Sequence, residues 1–204
     1  PSGGIDGKLS PNPIAFAAPR RGNEPILVDM TTSVCAEGKV RVAHNKGESL
    51  PEGRIIDHDG NPSTDPEDFV GKPGGAILPF GGPVAYKGYC LGMVVEILGG
   101  ALGGQGTASG ETVMQSNGLH LTVYHIDHFI DEDDFHAELE SLIKHVYTSR
   151  VDPQVGEILL PGDPEYRTGA QREAEGIPVD DTTWGRIVET GEGLGLDTSA
   201  WLQG

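Results

Sequence analysis

Pro25-Ile26-Leu27-Val28-Asp29-Met30-Thr31-Thr32-Ser33 is a short apolar run that ends in an acid and passes at once into hydroxyl-bearing residues. Runs of this kind bounded by turn residues read as strands. Thr and Ser are residue types that cap helix N-termini, and Val34, Cys35, Gly38 and Val42 follow at helical spacing. The stretch therefore predicts a strand running into a helix that starts at Thr31–Ser33. Upstream, Pro13-Ile14-Ala15-Phe16-Ala17-Ala18 is a matching strand, and the polar Arg20-Arg21-Gly22-Asn23-Glu24 makes the turn between them. A strand that closes on Asp at a helix start offers backbone N–H groups and hydroxyls to an anion or a ribose. A plain helix cap is the simpler reading of these residues taken alone.

Working outward, Asn45 to Gly75 is a long excursion rich in Gly, Pro, Asp and Asn, with a strong turn signal at Asp57-His58-Asp59-Gly60-Asn61-Pro62. Ala76-Ile77-Leu78-Pro79-Phe80 is a short buried extended piece. Tyr86-Lys87-Gly88-Tyr89 places a lysine beside a glycine, where a phosphate can approach without steric obstruction; a solvated lysine at a loop end is the simpler reading. Tyr89 to Leu102 is apolar nearly all round, which predicts a central, buried helix. Gly99 to Gly110 is a glycine-rich loop, and Gly118 to Ile126 alternates as a strand does. Phe135, Leu139, Leu142, Ile143, Val146 and Tyr147 line one face of a helix behind the acidic first turn Glu132-Asp133-Asp134. After Arg150 a polar helix over about Pro164 to Glu175 carries Arg167 and Arg172, and a last helix follows the cap candidates Asp180-Asp181-Thr182. The expected class is α+β: a sheet-and-helix domain over residues 1–150, then a small helical part over 151–204.

Composition limits the function classes. The 204 residues carry 14 basic and 31 acidic side chains, a net charge of −17. Such a surface repels phosphate backbones and anionic lipid, so neither a nucleic acid nor a membrane is an expected partner. No charged-then-apolar segment opens the chain at Pro1-Ser2-Gly3-Gly4, so no signal peptide is expected. The most apolar stretch is too short and too rich in glycine to span a bilayer. Cys35 and Cys90 sit in apolar surroundings without metal-ligand spacing, the pattern of a reducing cytoplasm. A soluble, cytoplasmic protein is the expectation.

The standard nucleotide fingerprints are missing. The nearest approach to Gly-x-Gly-x-x-Gly, Gly104-Gln105-Gly106-Thr107-Ala108-Ser109, follows a helix and ends in serine, so Rossmann and P-loop readings fail on pattern. His120, His125 and His128 with Asp127 and Asp131 form a loose metal-like group. On a strand, residues 120 and 125 point to opposite faces, so ordinary histidines are favoured and no metal is expected.

The order of short segments carries a resemblance. Asn12-Pro13-Ile14-Ala15-Phe16-Ala17-Ala18-Pro19, Asp29-Met30-Thr31-Thr32-Ser33 and Gly38-Lys39-Val40-Arg41 come first. Leu50-Pro51-Glu52-Gly53, Thr64-Asp65-Pro66 and Leu78-Pro79-Phe80-Gly81-Gly82 follow, then Lys87-Gly88-Tyr89, Leu160-Pro161-Gly162 and Gly176-Ile177-Pro178. Together they resemble the malate/L-lactate dehydrogenase family of NAD(P)-dependent oxidoreductases over nearly the whole chain.

That resemblance implies a non-Rossmann nucleotide-binding fold and hydride transfer between nicotinamide and a small 2-hydroxy or 2-oxo acid. It implies cofactor contacts at Asp29, Met30, Thr31, Lys87 and Gly88, and at Arg167 and Arg172 from the helical part. It also implies a homodimer. Family chains are longer, and this one corresponds to their C-terminal portion. A Ser-His-Gly segment bearing the proton-exchanging histidine has no counterpart here, so the catalytic residue is expected outside this chain, on an N-terminal helical portion or on a partner chain. Pro11 stands where relatives carry a substrate-contacting threonine, so that contact is lost or moved to Ser10. The acidic balance favours NAD over NADP. A non-catalytic assembly subunit, or a cyclic-imine reductase, are the alternatives.

Overall fold

A computed structural model describes residues 1–109, 117–199 and 201. Strands β1 (Ile14–Ala18) and β2 (Ile26–Met30) form an antiparallel hairpin in the register Ile14↔Met30 to Ala18↔Ile26. Gly22 turns the connection with φ 67°, a conformation that glycine adopts without steric cost. The other edge of β2 is not left bare. The Leu27 N–H donates to the Pro161 carbonyl at 3.0 Å, so Leu160-Pro161-Gly162 covers an edge that would otherwise expose unpaired backbone.

The helix expected from Thr31 starts later, as α1 (Glu37–Lys46) with Ala36 at its N-cap. The reason lies in the hydroxyls. Thr31 Oγ1 donates to the Ser33 carbonyl, Ser33 Oγ to the Cys35 carbonyl and Thr32 Oγ1 to the Pro11 carbonyl. A capping oxygen has to accept from an N–H instead. Backbone pairing holds the stretch extended: Ser33 bridges Pro79, and the Val34 N–H donates to the Leu78 carbonyl at 2.8 Å.

The long excursion is a folded meander. Strands β3 (Ile55–Ile56), β4 (Pro62–Ser63) and β5 (Ala76–Ile77) form a sheet in the order β4-β3-β5, with the short helix α2 (Glu67–Val70) between β4 and β5. Asp57 Oδ1 accepts from the N–H groups of Asp59 and Asn61, which closes the turn that the sequence marks. The core gathers here: Val40 and Ile55 are fully buried among Cys35, Ala43 and Leu50, with Val34, Phe69 and Ile77 against them. Burial pushes the Cys35 thiol above its ordinary pKa. Cys35 and Cys90 are both unpaired thiols.

Helix α3 (Tyr86–Val95) widens into a π-helical segment, Glu96–Leu102. It is not the buried central helix that its composition predicts. Gly88, Gly92 and Gly99 form its buried side, while Val94, Ile97 and Leu102 are 48%, 52% and 67% exposed. Gly99 to Leu102 belong to this helix instead of to the predicted loop, and Gly110 lies outside the described residues.

The strand predicted over Gly118–Ile126 is absent: residues 118–125 run without ladder partners, and a 3-10 turn begins at Ile126. Helix α4 (Glu132–Tyr147) forms where expected, with Asp131 accepting from the Asp133 N–H. Arg20 Nε clamps it to the hairpin by donating to Glu140 Oε1 at 2.8 Å. Helices α5 (Asp163–Glu175) and α6 (Asp181–Gly193) match the predicted pair, and Asp180 caps α6 through the Thr183 N–H. The fold is thus mixed, small antiparallel sheets with helices. Among the described residues no helix is long and apolar enough to cross a membrane.

Candidate functional site

The C-terminal end of β2 and the first turn of α3 meet in backbone contact. Thr32 is 5% exposed. Its N–H and its hydroxyl both donate to the Pro11 carbonyl at 2.9 Å, and its own carbonyl accepts from the Phe80 N–H at 3.1 Å. Gly88 stands against the same two backbones. A Cβ there would lie 2.4 Å from the Phe80 carbonyl oxygen and 3.0 Å from that of Thr32. Only a residue without a side chain permits this approach. Thr32, Ser33, Gly88, Tyr89 and Gly92 line a cleft of about 190 Å³ together with the segment Gly4–Pro11.

A second cleft opens along β2. Leu27, Val28 and Asp29 form one wall, and Leu159–Gly162 with Pro164 and Glu165 form the other. Gly162 turns into α5 with φ 102°, and the Asp163 carboxylate accepts from the Leu160 N–H at 2.9 Å. The Tyr166 hydroxyl reaches back to the Pro25 carbonyl at 3.1 Å. Withdrawal from water, followed by the carboxylates of Glu24, Asp163 and Glu165, raises its pKa.

The residues singled out from sequence are distributed around these clefts. Asp29 lines the second cleft and Gly88 the first. Met30 and Thr31 line neither cleft: Met30 is exposed at the end of β2, and the Thr31 hydroxyl donates to the Ser33 carbonyl. Lys87 is exposed on the first turn of α3 beside Gly88. Arg167 and Arg172 lie on α5, beyond the turn that lines the second cleft. Arg167 is engaged: its guanidinium donates to both oxygens of Glu157, at 2.6 and 2.9 Å. That bond holds the Glu157 carboxyl below its ordinary pKa. Arg172 is exposed on the same helix.

Two side chains of this neighbourhood escaped the sequence reading. Asn12 is 7% exposed, and its amide donates to the Gly92 carbonyl at 3.1 Å and to Glu96 Oε2 at 2.7 Å. Their only signal in sequence was an Asn before Pro and a lone Glu inside an apolar helix. Ser10, the proposed replacement for a threonine at position 11, donates its hydroxyl to Asn12 Oδ1 at 2.6 Å. The histidine group is also rearranged. Residues 118–125 do not form a strand that would turn His120 and His125 to opposite faces, and the rings of His125 and His128 lie 4.7 Å apart. Among the described residues no group of three or more His, Cys, Asp or Glu is placed to hold a metal ion.

A profile of the malate/L-lactate dehydrogenase family matches residues 1–188. The chain belongs to that family. An L-lactate dehydrogenase of Cupriavidus necator is 34% identical over 200 residues, 96% of this chain and 56% of that protein. A delta(1)-pyrroline-2-carboxylate/delta(1)-piperideine-2-carboxylate reductase of Pseudomonas putida is 37% identical over 174 residues, 82% of this chain and 48% of its own. The structure of malate dehydrogenase from Pyrococcus horikoshii superposes with a TM-score of 0.76 at 30% identity, covering 96% of this chain and 54% of that one. The chain spans about half the length of the relatives it matches.

Proposed function

We propose that this chain is the nucleotide-holding part of an NAD-dependent oxidoreductase that passes a hydride between nicotinamide and C2 of a small 2-hydroxy acid. The contact between Thr32 and Gly88 carries the reading. It packs Thr32, the residue that follows Asp29-Met30-Thr31, against Gly88, the neighbour of Lys87, and both Thr32 and Gly88 line the first cleft, in a chain whose relatives include dehydrogenases. Because no side chain intervenes, the first turn of α3 packs directly on the Phe80 and Thr32 backbones, which fixes Lys87 close in the fold to the end of β2 for a phosphorylated ligand. When bound, nicotinamide supplies the hydride chemistry.

The chain's own residues hold and orient. Lys87 provides a cation beside Gly88. Asp29 offers a carboxylate in the second cleft, and Met30 and Thr31 continue from it toward Thr32 in the first. Arg172 offers a charge from α5, and Arg167 offers one by leaving Glu157. Residues 1–150 form the nucleotide-binding domain in this reading, and 151–204 form the helical segment that reaches over it. The proton donor and acceptor lie outside this chain. NAD is preferred over NADP because the second cleft presents Asp29 and Glu165. Two carboxylates disfavour a further phosphate. A reducing cytoplasmic setting and a homodimer complete the proposal, in keeping with the unpaired thiols.

Titration of the protein with NADH and with NADPH, followed by nicotinamide fluorescence, tests this. The expected result is tighter binding of NADH, weakened about tenfold by Lys87→Ala or Arg172→Ala, the loss of one charge-assisted hydrogen bond. Equal affinity in wild type and both variants would remove the site assignment. A second reading, reduction of a cyclic imine acid, is favoured by the similarity to the Pseudomonas putida reductase. Nicotinamide oxidation by the enzyme with pyruvate or oxaloacetate, against oxidation with piperideine-2-carboxylate, separates the two.

A further inference from the structure

Asn12 combines burial with a left-handed backbone, φ 43°, which side-chain-bearing residues seldom adopt. Such a conformation persists where the surroundings fix it from several directions. Here its amide is held at three points: it accepts from Ser10, and it donates to the Gly92 carbonyl and to Glu96. The other oxygen of the Glu96 carboxylate accepts from the Ala108 N–H. Glu96 is the residue at which α3 widens into the π-helical segment, a local change of winding often found at functional positions. One carboxylate thereby clasps two separate segments, the approach to β1 and the glycine-rich stretch Gly103–Ser109.

The hydrogen bonds continue toward the cleft. The carbonyl next to Asn12, that of Pro11, is the double acceptor for Thr32, and Thr32 rests on Phe80 and Gly88. We propose that the Asn12–Glu96 pair is a positioning device for the nucleotide site. It fixes the height of Thr31–Thr32 over Gly88 and latches Gly103–Ser109 to the same helix, so that nucleotide binding and the order of that stretch are coupled. The proposal rests on the nucleotide reading above. Linkage makes the coupling reciprocal: a ligand that favours the clasped arrangement must slow the opening of Ala108.

The test uses NADH titration and amide hydrogen exchange at Thr32 and Ala108, in wild type, Asn12→Gly, Glu96→Ala, the double variant and Lys87→Ala. Glycine at position 12 keeps the left-handed backbone and deletes only the amide. Asn12→Gly and Glu96→Ala are each expected to weaken NADH about five- to tenfold, as for a lost buried hydrogen bond. The double variant should be no weaker than the worse single one, since both remove one shared interaction. NADH should slow exchange at Ala108 in wild type and leave it unchanged in Asn12→Gly. If Lys87→Ala weakens NADH while both clasp variants bind like wild type, or if their effects add, the positioning role is overturned and the nucleotide reading stands. If wild type binds no NADH, both fall together.

Discussion

Ile26–Met30 and Gly118–Ile126 are both short, apolar stretches with the look of strands, and they meet different fates. Ile26–Met30 pairs with β1 on one edge and with Pro161 on the other. Leu119, Leu121 and Val123 stay 81%, 77% and 83% exposed on a backbone without ladder partners. The same contrast runs along α3, where the glycine side is closed against Thr32 and the side bearing Val94 and Ile97 is open. Alternation specifies a face; it does not supply the neighbour that a strand needs. The chain as a whole exposes 14671 Å², against roughly 9,000 Å² for a compact monomer of this mass. Many large apolar side chains are part of that open surface, whereas Thr32 and Gly88 are buried against each other by backbone contacts.

Breaking the closed region should have the largest effect. Gly88→Ala inserts a methyl where Phe80 and Thr32 leave no space. A loss of about 2–3 kcal/mol is expected, or roughly 5–10 °C in the midpoint of thermal unfolding. A midpoint within 1–2 °C of wild type, roughly the scatter expected of a neutral surface change, would mean that this contact is looser than its geometry.

A smaller effect belongs to the clamp between the hairpin and α4. The Arg20 guanidinium holds the Glu140 carboxyl below its ordinary pKa, chiefly through their hydrogen bond. A depressed carboxyl contributes stability above its unfolded value, near 4.3, and loses it as the pH falls through the folded value. Glu140→Gln should therefore lower the unfolding midpoint at pH 6, and the gap from wild type should close as the pH approaches 3. A gap that persists at pH 3 would assign the contribution to packing of the side chain instead of to its charge.

The smallest effect is expected in the open stretch. Leu121→Ser should change the stability of this chain by less than about 0.5 kcal/mol, because the side chain is 77% exposed. A larger loss, read from chemical denaturation, would show that the stretch is covered in solution and would narrow the contrast between the two regions.

Local chemistry was legible in the sequence wherever a residue's neighbours in the chain decide its structure. The hairpin β1–β2, the turn at Asp57–Asn61, the acid-capped helices α4 and α6 and the polar helix α5 all follow from turn residues, caps and periodicity. The family was legible too, in the order of segments and not in any one of them. The start of α1 was not, because Thr31, Thr32 and Ser33 carry cap-type side chains whose hydroxyls find carbonyls supplied from elsewhere, as Pro11 does for Thr32. Of the candidate site, Asp29, Gly88 and the two arginines had local signals. Asn12 and Glu96 had none strong enough to assign a role, since their meaning lies in each other and in Gly92 and Ala108.

The sequence by itself determined where the turns, the caps and most helices fall, because those depend on contacts within a few residues. Only the tertiary structure decided which apolar faces are closed, which hydroxyls donate away from a helix, and that a glycine on α3 meets the end of β2. Burial and hydrogen-bond satisfaction are set by whichever distant segment arrives, and no local pattern encodes that arrival.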